Sequence, residues 1–439
     1  MTRRSSVLDL TVGVAICGAL LSLMTMSVAQ SRTLARGRLC DNNLKQLGLA
    51  IHNYHSAYKT LPYGAGGTDQ GGPDSNDVGN AGRLSAFVGF LPFYEQQQLW
   101  EKISNPVQRG DQTYPPMGPE PWHDPNRYPP FGMRPEVLTC PEDSSAARFP
   151  SATSYVLNYG DGIHQVGNGK SDWPSPHDRA SLMIQRANCR GVFAKQIQYR
   201  FRDILDGLSN TMMMSEMQID GAKVARNVAD LAIKPSLTIK AQEGNDFWPA
   251  GRKSYWCDGG LRSAGFQAVL PPCSPSATSD QGETTAVMSA SSHHGDGTHV
   301  LMCDGAVIFI SSSIDSGDAD AASVSMPVPG AKVAFSLPGS RSPYGLWGAL
   351  GTRASKELIK ENLGESDVTS PPRQPIDLSR LAELKKKPVQ LFQLTDGKPP
   401  VKGWLQSCSR DGRLVIIDAD GKERRLTLAD LTSESAYSI

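Results

Sequence analysis

The first sixty residues constrain this chain more than any other part of it. Arg3 and Arg4 precede Leu10 to Ala29, a run of 20 residues without a charge. At 1.5 Å per residue, a helix of that length spans ~30 Å, the thickness of a bilayer's hydrocarbon core. No proline interrupts the chain before Pro62. Beyond the run the pattern turns amphipathic: Leu44, Leu47, Ile51, Tyr54 and Tyr58 recur at steps of three or four, the period of one helix face.

One helix that starts in a membrane and ends as the spine of an exported domain is therefore expected, which is the plan of a pilin. Two other readings compete. Ser27-Val28-Ala29 places small residues where signal peptidase cuts, which would give a secreted product. Arg3-Arg4 could open a twin-arginine signal, although its flanks fit poorly. Positive charge does not set the orientation, because Arg32, Arg36 and Arg38 answer from the other side. The expectation is a single-pass protein of the cell membrane with the bulk of the chain outside the cytoplasm. Secretion after signal cleavage is the alternative.

A length of 439 residues suggests two or three domains. Lys+Arg and Asp+Glu both number 44, which removes any general argument for nucleic-acid binding by phosphate neutralisation. Gly at 42 and Pro at 31 predict a loop-rich body, and both cluster in Tyr63 to Gly82 and Asn105 to Pro135. Those two stretches read as long surface insertions. Strands are expected over Ser85 to Leu91, Thr211 to Glu216, His299 to Cys303 and Ala306 to Ser311. The last two flank Asp304-Gly305, a two-residue hairpin signal. Ser312 to Gly339 reads as irregular, and Ser366 to Pro375 with Pro371-Pro372 as a linker. The expected domains are an anchor and spine over 1–60, a β-containing exported domain over 61–357, a linker over 358–385 and a small domain over 386–439.

The richest polar cluster is Ser291 to His299, where His293, His294, His299 and Asp296 could ligate a metal with Asp304 as a further donor. A structural role is the stronger reading. His294 would hydrogen-bond backbone in the preceding loop, while Asp304 and Gly305 would supply the two positive φ angles of a tight turn. His52 and His55 share a helix face with asparagines and are expected to satisfy loop carbonyls. Glu216 follows a strand without a placed partner, and Asp203 with Asp206 looks like turn chemistry. No nucleophile elbow, Walker loop or dinucleotide fingerprint occurs. Cys-x-x-Cys and His-x-x-x-His are absent, so a zinc site finds no support at the sequence level. No catalytic, cofactor-binding or metal residue is assigned, and no cofactor is expected. Among the 8 cysteines, Cys17 lies in the apolar run, while Cys189, Cys257, Cys273 and Cys303 permit pairings that sequence does not assign.

From Cys40 to His55 the chain resembles a large bacterial family of surface proteins with prepilin-like N-termini, domain-of-unknown-function family 1559. The resemblance continues in order through Leu138-Thr139-Cys140-Pro141, Asp206-Gly207-Leu208-Ser209-Asn210-Thr211 with Glu216, Leu270-Pro271-Pro272, and His294 separated by nine residues from Asp304-Gly305. It departs at the processing site, where Arg4 replaces the usual Gly and Asp9 replaces the Glu, so prepilin cleavage is not expected. The resemblance places Cys40 and Cys140 in family motifs and implies their pairing. Two independent buried thiols remain the alternative.

Residues 388–435 are similar to the Sla-type homology domain, a small SH3-like barrel of adaptors and exported proteins. The matching segments are Phe392 to Gly397, Gly403-Trp404-Leu405, Gly412 to Ile417 and Leu426 to Leu431. Asp411-Gly412 and Asp420-Gly421 read independently as hairpin turns around one strand. Ten Lys or Arg face seven Asp or Glu from Lys385 onward, a mild excess that suits an acidic protein partner. Trp404 is either a core residue or the anchor of a partner groove. The expected fold class is α+β: a long pilin-like helix packed on a loop-rich antiparallel β domain, then an SH3-like barrel. The expected function is a membrane-anchored, non-enzymatic surface protein that binds other proteins through its C-terminal module and could self-associate, without nucleic acid. An exported solute- or polymer-binding protein is the alternative, and an exported hydrolase the third reading.

Overall fold

A computed structural model describes residues 36–68, 79–122, 128–166, 179–220, 224–244, 246–248, 255–279, 285–325 and 337–357, strand residues 390–392, 401–408, 413–418 and 423–427, and positions 12, 15 and 16. The rest of the apolar run, the linker prolines and the turns Asp411-Gly412 and Asp420-Gly421 lie outside the described residues. Among the described residues no helix is long and apolar enough to cross a membrane. The chain divides into two units, Met1–Gly364 and Glu365–Ile439.

In the first unit, residues 36–58 form a helix, α1. Its i, i+3, i+4 apolar spacing puts Cys40, Leu44, Leu47, Ala50 and Ile51 on one fully buried stripe. Farther along, Tyr54 is half-buried and Tyr58 exposed. The stripe packs on a five-stranded sheet built from β1 (Tyr155–Asn158), β2 (Met212–Glu216), β3 (Gly265–Phe266), β4 (Gly297–Met302) and β5 (Val307–Ser311), in the order β5-β4-β2-β1-β3. Gly48 makes the close approach possible, since a Cβ there would lie 2.9 Å from Leu301 Cδ1. Every residue of β1 and β2 is buried, as expected of central strands covered on both faces.

The sheet corrects the expectation of a purely antiparallel domain. Three of its pairings are antiparallel, but β1 and β3 run parallel, Leu157 opposite Gly265 and Asn158 opposite Phe266. The helix α2 (Gly345–Gly351) seals that end, with Trp347 against Phe266. Asn158 ties the pieces together, donating to Met212 O at 2.6 Å and Gly351 O at 2.9 Å. Nearby, Arg190 and Asp161 form a buried two-pronged pair, Nε to Oδ1 at 2.7 Å and Nη2 to Oδ2 at 2.5 Å.

Three other expectations fail for physical reasons. Ser85 to Leu91 is not a strand: Leu84–Ser85 pairs briefly, then Ala86–Gly89 and Leu91–Tyr94 turn helically. A short, wholly buried apolar run carries no period that separates the two states. Asn105 to Pro135 is not only a surface insertion. It contains the hairpin Val107–Arg109/Gln112–Tyr114, and Tyr114, Tyr128 and Phe131 stack edge-on into the core with centroids 5.2 and 4.7 Å apart. The β4–β5 turn is a three-residue loop, Cys303-Asp304-Gly305, closed by Met302 and Ala306, whose N–H···O bond is 2.8 Å.

In that loop only Gly305 has positive φ, at 94°, while Asp304 instead accepts the Ala306 N–H at 3.0 Å. A Cβ on Gly305 meets nothing, so the backbone angle is the whole constraint. Gly305→Val is therefore expected to cost ~1–3 kcal/mol, read as a lower urea midpoint with unchanged slope. An unchanged midpoint would mean the loop relaxes freely.

In the second unit, β6 (Gln390–Phe392), β7 (Val401–Cys408), β8 (Arg413–Asp418) and β9 (Glu423–Thr427) form an antiparallel meander in sequence order. Trp404 lies on β7 opposite Ile417.

Candidate functional site

Four segments of the first unit converge on one buried polar cluster. Cys40 on α1 is disulfide-bonded to Cys140 in the turn before β1, with Cα atoms 5.2 Å apart. The loop entering β4 delivers His294: its N–H donates to Ser292 Oγ at 3.0 Å, and Ser292 Oγ donates to Gly297 O at 2.8 Å. The imidazole thereby turns inward, with Nε2 3.2 Å from Cys140 Sγ and 3.4 Å from Glu216 Oε1. A disulfide sulfur carries no hydrogen, so Nε2 must supply it.

Glu216 closes β2 with its side chain 2% exposed. Its Oε2 accepts the His299 N–H at 3.1 Å and faces His299 Nδ1 at 2.9 Å. Oε1 has only the long, poorly directed approach of His294 Nε2 at 3.4 Å. His299 Nε2 in turn lies 3.5 Å from Asp41 Oδ1 on α1. The result is a chain of groups, Asp41–His299–Glu216–His294–Cys140, that joins helix to sheet.

Burial pushes the Glu216 carboxyl up, but hydrogen bonds and positive charge from His294 and His299 outweigh it and hold the group below 4.5. Burial pushes His294 down, yet the hydrogen bond and charge of Glu216, with smaller help from Glu142 and Asp41, leave it above 6.5. The raised histidine stabilises fully below its unfolded value and loses that contribution as pH rises through the folded one. The lowered carboxylate stabilises fully above its unfolded value and loses it as pH falls through the folded one. Both contributions overlap between pH 4.5 and 6.5. The melting-temperature gap between wild type and His294→Ala is expected to be widest there and to narrow on either side. A gap independent of pH would remove the pair from the account.

The histidine-rich stretch is thus not one metal site. His294 and His299 meet Glu216 from two sides, whereas His293 turns away to Asp143, with Nε2 3.4 Å from Oδ1. Asp304 sits at the far end of β4, so the structure does not bring His294 together with Asp304 and Gly305. Rather than loop backbone, His294 meets the disulfide and the start of α1, where its ring lies 3.7 Å from a Cβ built on Gly37. His52 and His55 also differ from expectation. Both pack on Phe201, with centroids 4.6 and 4.5 Å away, and neither buried Nε2 has a hydrogen-bond partner. Asn43 does meet a loop carbonyl, Thr139 O at 3.0 Å. Asp206 accepts the N–H groups of Ser355 and Lys356 at 2.9 and 2.5 Å, docking the chain after α2.

Cys189, Cys257 and Cys303 are buried free thiols, and Cys273 is an exposed one. Among the described residues, Cys40, Cys140, Glu216 and His294 place one donor atom each within 4.8 Å of one another. Close-spacing templates could not find this group, because each residue comes from a different segment. The partner of Glu216 was hidden for the same reason, and Asp41 carried only the signal of its place inside the Cys40–Asn43 motif. Beside the cluster lies a cavity of ≈ 10 Å³ lined by Cys140, Asp143, Glu216, Gln218, Ser292 and His293. That is room for about one water molecule.

A second concavity, of ≈ 200 Å³, opens between the far end of α1 and the loop at Gly66-Gly67, with Tyr54, Tyr58, Tyr63 and Trp100 in its wall. Phe93 braces it, 5.6 Å from Tyr54 and 6.1 Å from Tyr58.

A family model described as "Protein of unknown function (DUF1559)" matches residues 30–317. No curated protein and no solved structure matches the chain.

Proposed function

We propose that this chain, which belongs to the DUF1559 family, is a non-enzymatic envelope protein anchored by its N-terminal apolar run. Its first unit would be a pilin-like body outside the cytoplasm, and its C-terminal sheet an SH3-like module that binds other proteins. The observation that carries this reading is the Cys40–Cys140 disulfide. Such bonds persist in oxidising compartments, and this one begins on α1, in sequence soon after the uncharged run that ends at Ala29. His294 is engaged with both Glu216 and the disulfide, which supports a structural rather than a catalytic role.

N-terminal sequencing of protein extracted from membranes tests the anchor. A start ahead of Leu10 is expected, and a mature terminus at Gln30 would sink it. Crosslinking in native membranes tests the module: partners captured by the full chain should disappear when residues 386–439 are removed. Captured copies of the chain itself would add self-association.

The aromatic concavity favours a second reading, an exported solute- or polymer-binding protein. Tyr58 and Tyr63 are 60% and 41% exposed, and Gly66 and Gly67 form the glycine-rich rim such a site needs. A ligand specific for it should raise the melting temperature of wild type but not of Tyr58→Ala.

A further inference from the structure

We propose that the cluster at the start of α1 is a redox-gated zinc site. When the Cys40–Cys140 disulfide is reduced, both thiolates, His294 Nε2 and Glu216 Oε1 take a zinc ion in a tetrahedral shell of two sulfurs, one nitrogen and one oxygen. The inference goes beyond the anchored-surface reading and does not depend on it.

The spacing already present approaches that of such a shell. Zinc–sulfur bonds of about 2.3 Å and zinc–nitrogen or –oxygen bonds of about 2.0–2.1 Å give a tetrahedron with edges of roughly 3.4–3.8 Å. His294 Nε2 stands 3.2 Å from Cys140 Sγ and 3.4 Å from Glu216 Oε1. The four donor atoms all lie within 4.8 Å of one another, and the two sulfurs are the closest pair because they share a bond. Breaking it frees both side chains to rotate apart towards the remaining edge.

The carboxylate gives an independent indication. Glu216 is 2% exposed, and its Oε1 has only the long, poorly directed approach of His294 Nε2 at 3.4 Å. A buried oxygen with an open lone pair has a strong need for a partner. The other oxygen is fixed by two groups of His299, which is itself met by Asp41. This is the outer support that orients ligands in metal sites. Mixed thiolate, imidazole and carboxylate donors select zinc over calcium or magnesium. The water-sized cavity against Cys140 and Glu216 provides an approach.

The chemistry balances. A dithiol attacks the disulfide, passes through a mixed disulfide and leaves as its own disulfide, having delivered two electrons and two protons to Cys40 and Cys140. Zinc binding then releases the two thiol protons to solvent, while the proton on His294 Nε2 leaves so that its lone pair can bind.

The test uses the full-length chain, either oxidised or reduced anaerobically with a phosphine. Each form is freed of excess reagent, exposed to zinc chloride and passed through gel filtration. One zinc per chain should stay with the reduced form and none with the oxidised form. Cobalt in place of zinc should give a thiolate-to-cobalt charge-transfer band and the intense visible bands of a tetrahedral ion. His299→Ala should weaken zinc affinity about 10–100-fold while keeping the four donors. Cys273→Ser should change nothing, which excludes the exposed thiol as the ligand. Equal zinc in both forms, none in the reduced form, or undiminished binding by the Cys40→Ser/Cys140→Ser double variant would each overturn the proposal. The comparison within the wild-type chain decides the matter even where a variant fails to fold.

Discussion

Replacing Cys40 and Cys140 together with alanine is expected to lower the unfolding free energy by about 4–5 kcal/mol. The bond closes a loop with a sequence separation of 100. On the chain-entropy account, opening a loop of that size returns about 4.7 kcal/mol of freedom to the unfolded ensemble. Small proteins hold only about 5–15 kcal/mol in total, so the loss is a large share of it. Either single replacement should cost nearly as much as both, because one bond cannot be half removed. The fold should nevertheless survive, since Leu44, Leu47 and Ile51 still bury α1 on the sheet. Urea unfolding of the non-reduced proteins reads the effect. A loss below about 1 kcal/mol would mean that the unfolded chain is already held together in this region.

Asp161→Ala should be comparably severe, at about 3–5 kcal/mol, the range seen when one member of a buried ion pair is removed. Arg190 and Asp161 side chains are 6% and 0% exposed. Burial works against the Arg190 charge, and the charge and hydrogen bonds of Asp161 restore it, leaving the guanidinium above its ordinary value. Without the carboxylate the cation keeps the carbonyls of Pro338 and Ser340, at 3.1 and 2.5 Å, and the weaker charges of Glu357 and Asp206. An Asp161→Leu/Arg190→Met double variant should lose much less than Asp161→Ala, since no unpaired charge remains. A double variant worse than the single would show instead that the pair itself is strongly stabilising.

Local signals carried part of this architecture, and long-range ones carried the rest. The helix was legible because Leu44, Leu47 and Ile51 repeat at the helical period and one face is buried. The β4–β5 hairpin was legible at Asp304-Gly305, but its loop length was not. A three-residue loop with one positive φ and a two-residue loop with two share the same Asp-Gly signature. Tyr114, Tyr128 and Phe131 were lost among the prolines and glycines around them, since composition averages away three buried rings. Glu216 shows the limit most plainly. Its meaning rests on His294, His299, Asp41 and Cys140, which fold topology alone brings together.

The staple at Cys40 also has a mechanical consequence. Tension on the chain ahead of Cys40 does not travel only through the turns of α1; it crosses to Cys140 through a covalent link and enters the core at β1. Residues between the two cysteines are bypassed by the load. With 100 residues of separation spanned by a 5.2 Å Cα–Cα distance, about 330–360 Å of extended contour stays locked, at 3.3–3.6 Å per residue. With the bond reduced, that length can be drawn out, but only as the load unfolds the core residues between the two cysteines. The thiol state of one buried pair therefore sets how far this protein can be stretched before it gives way.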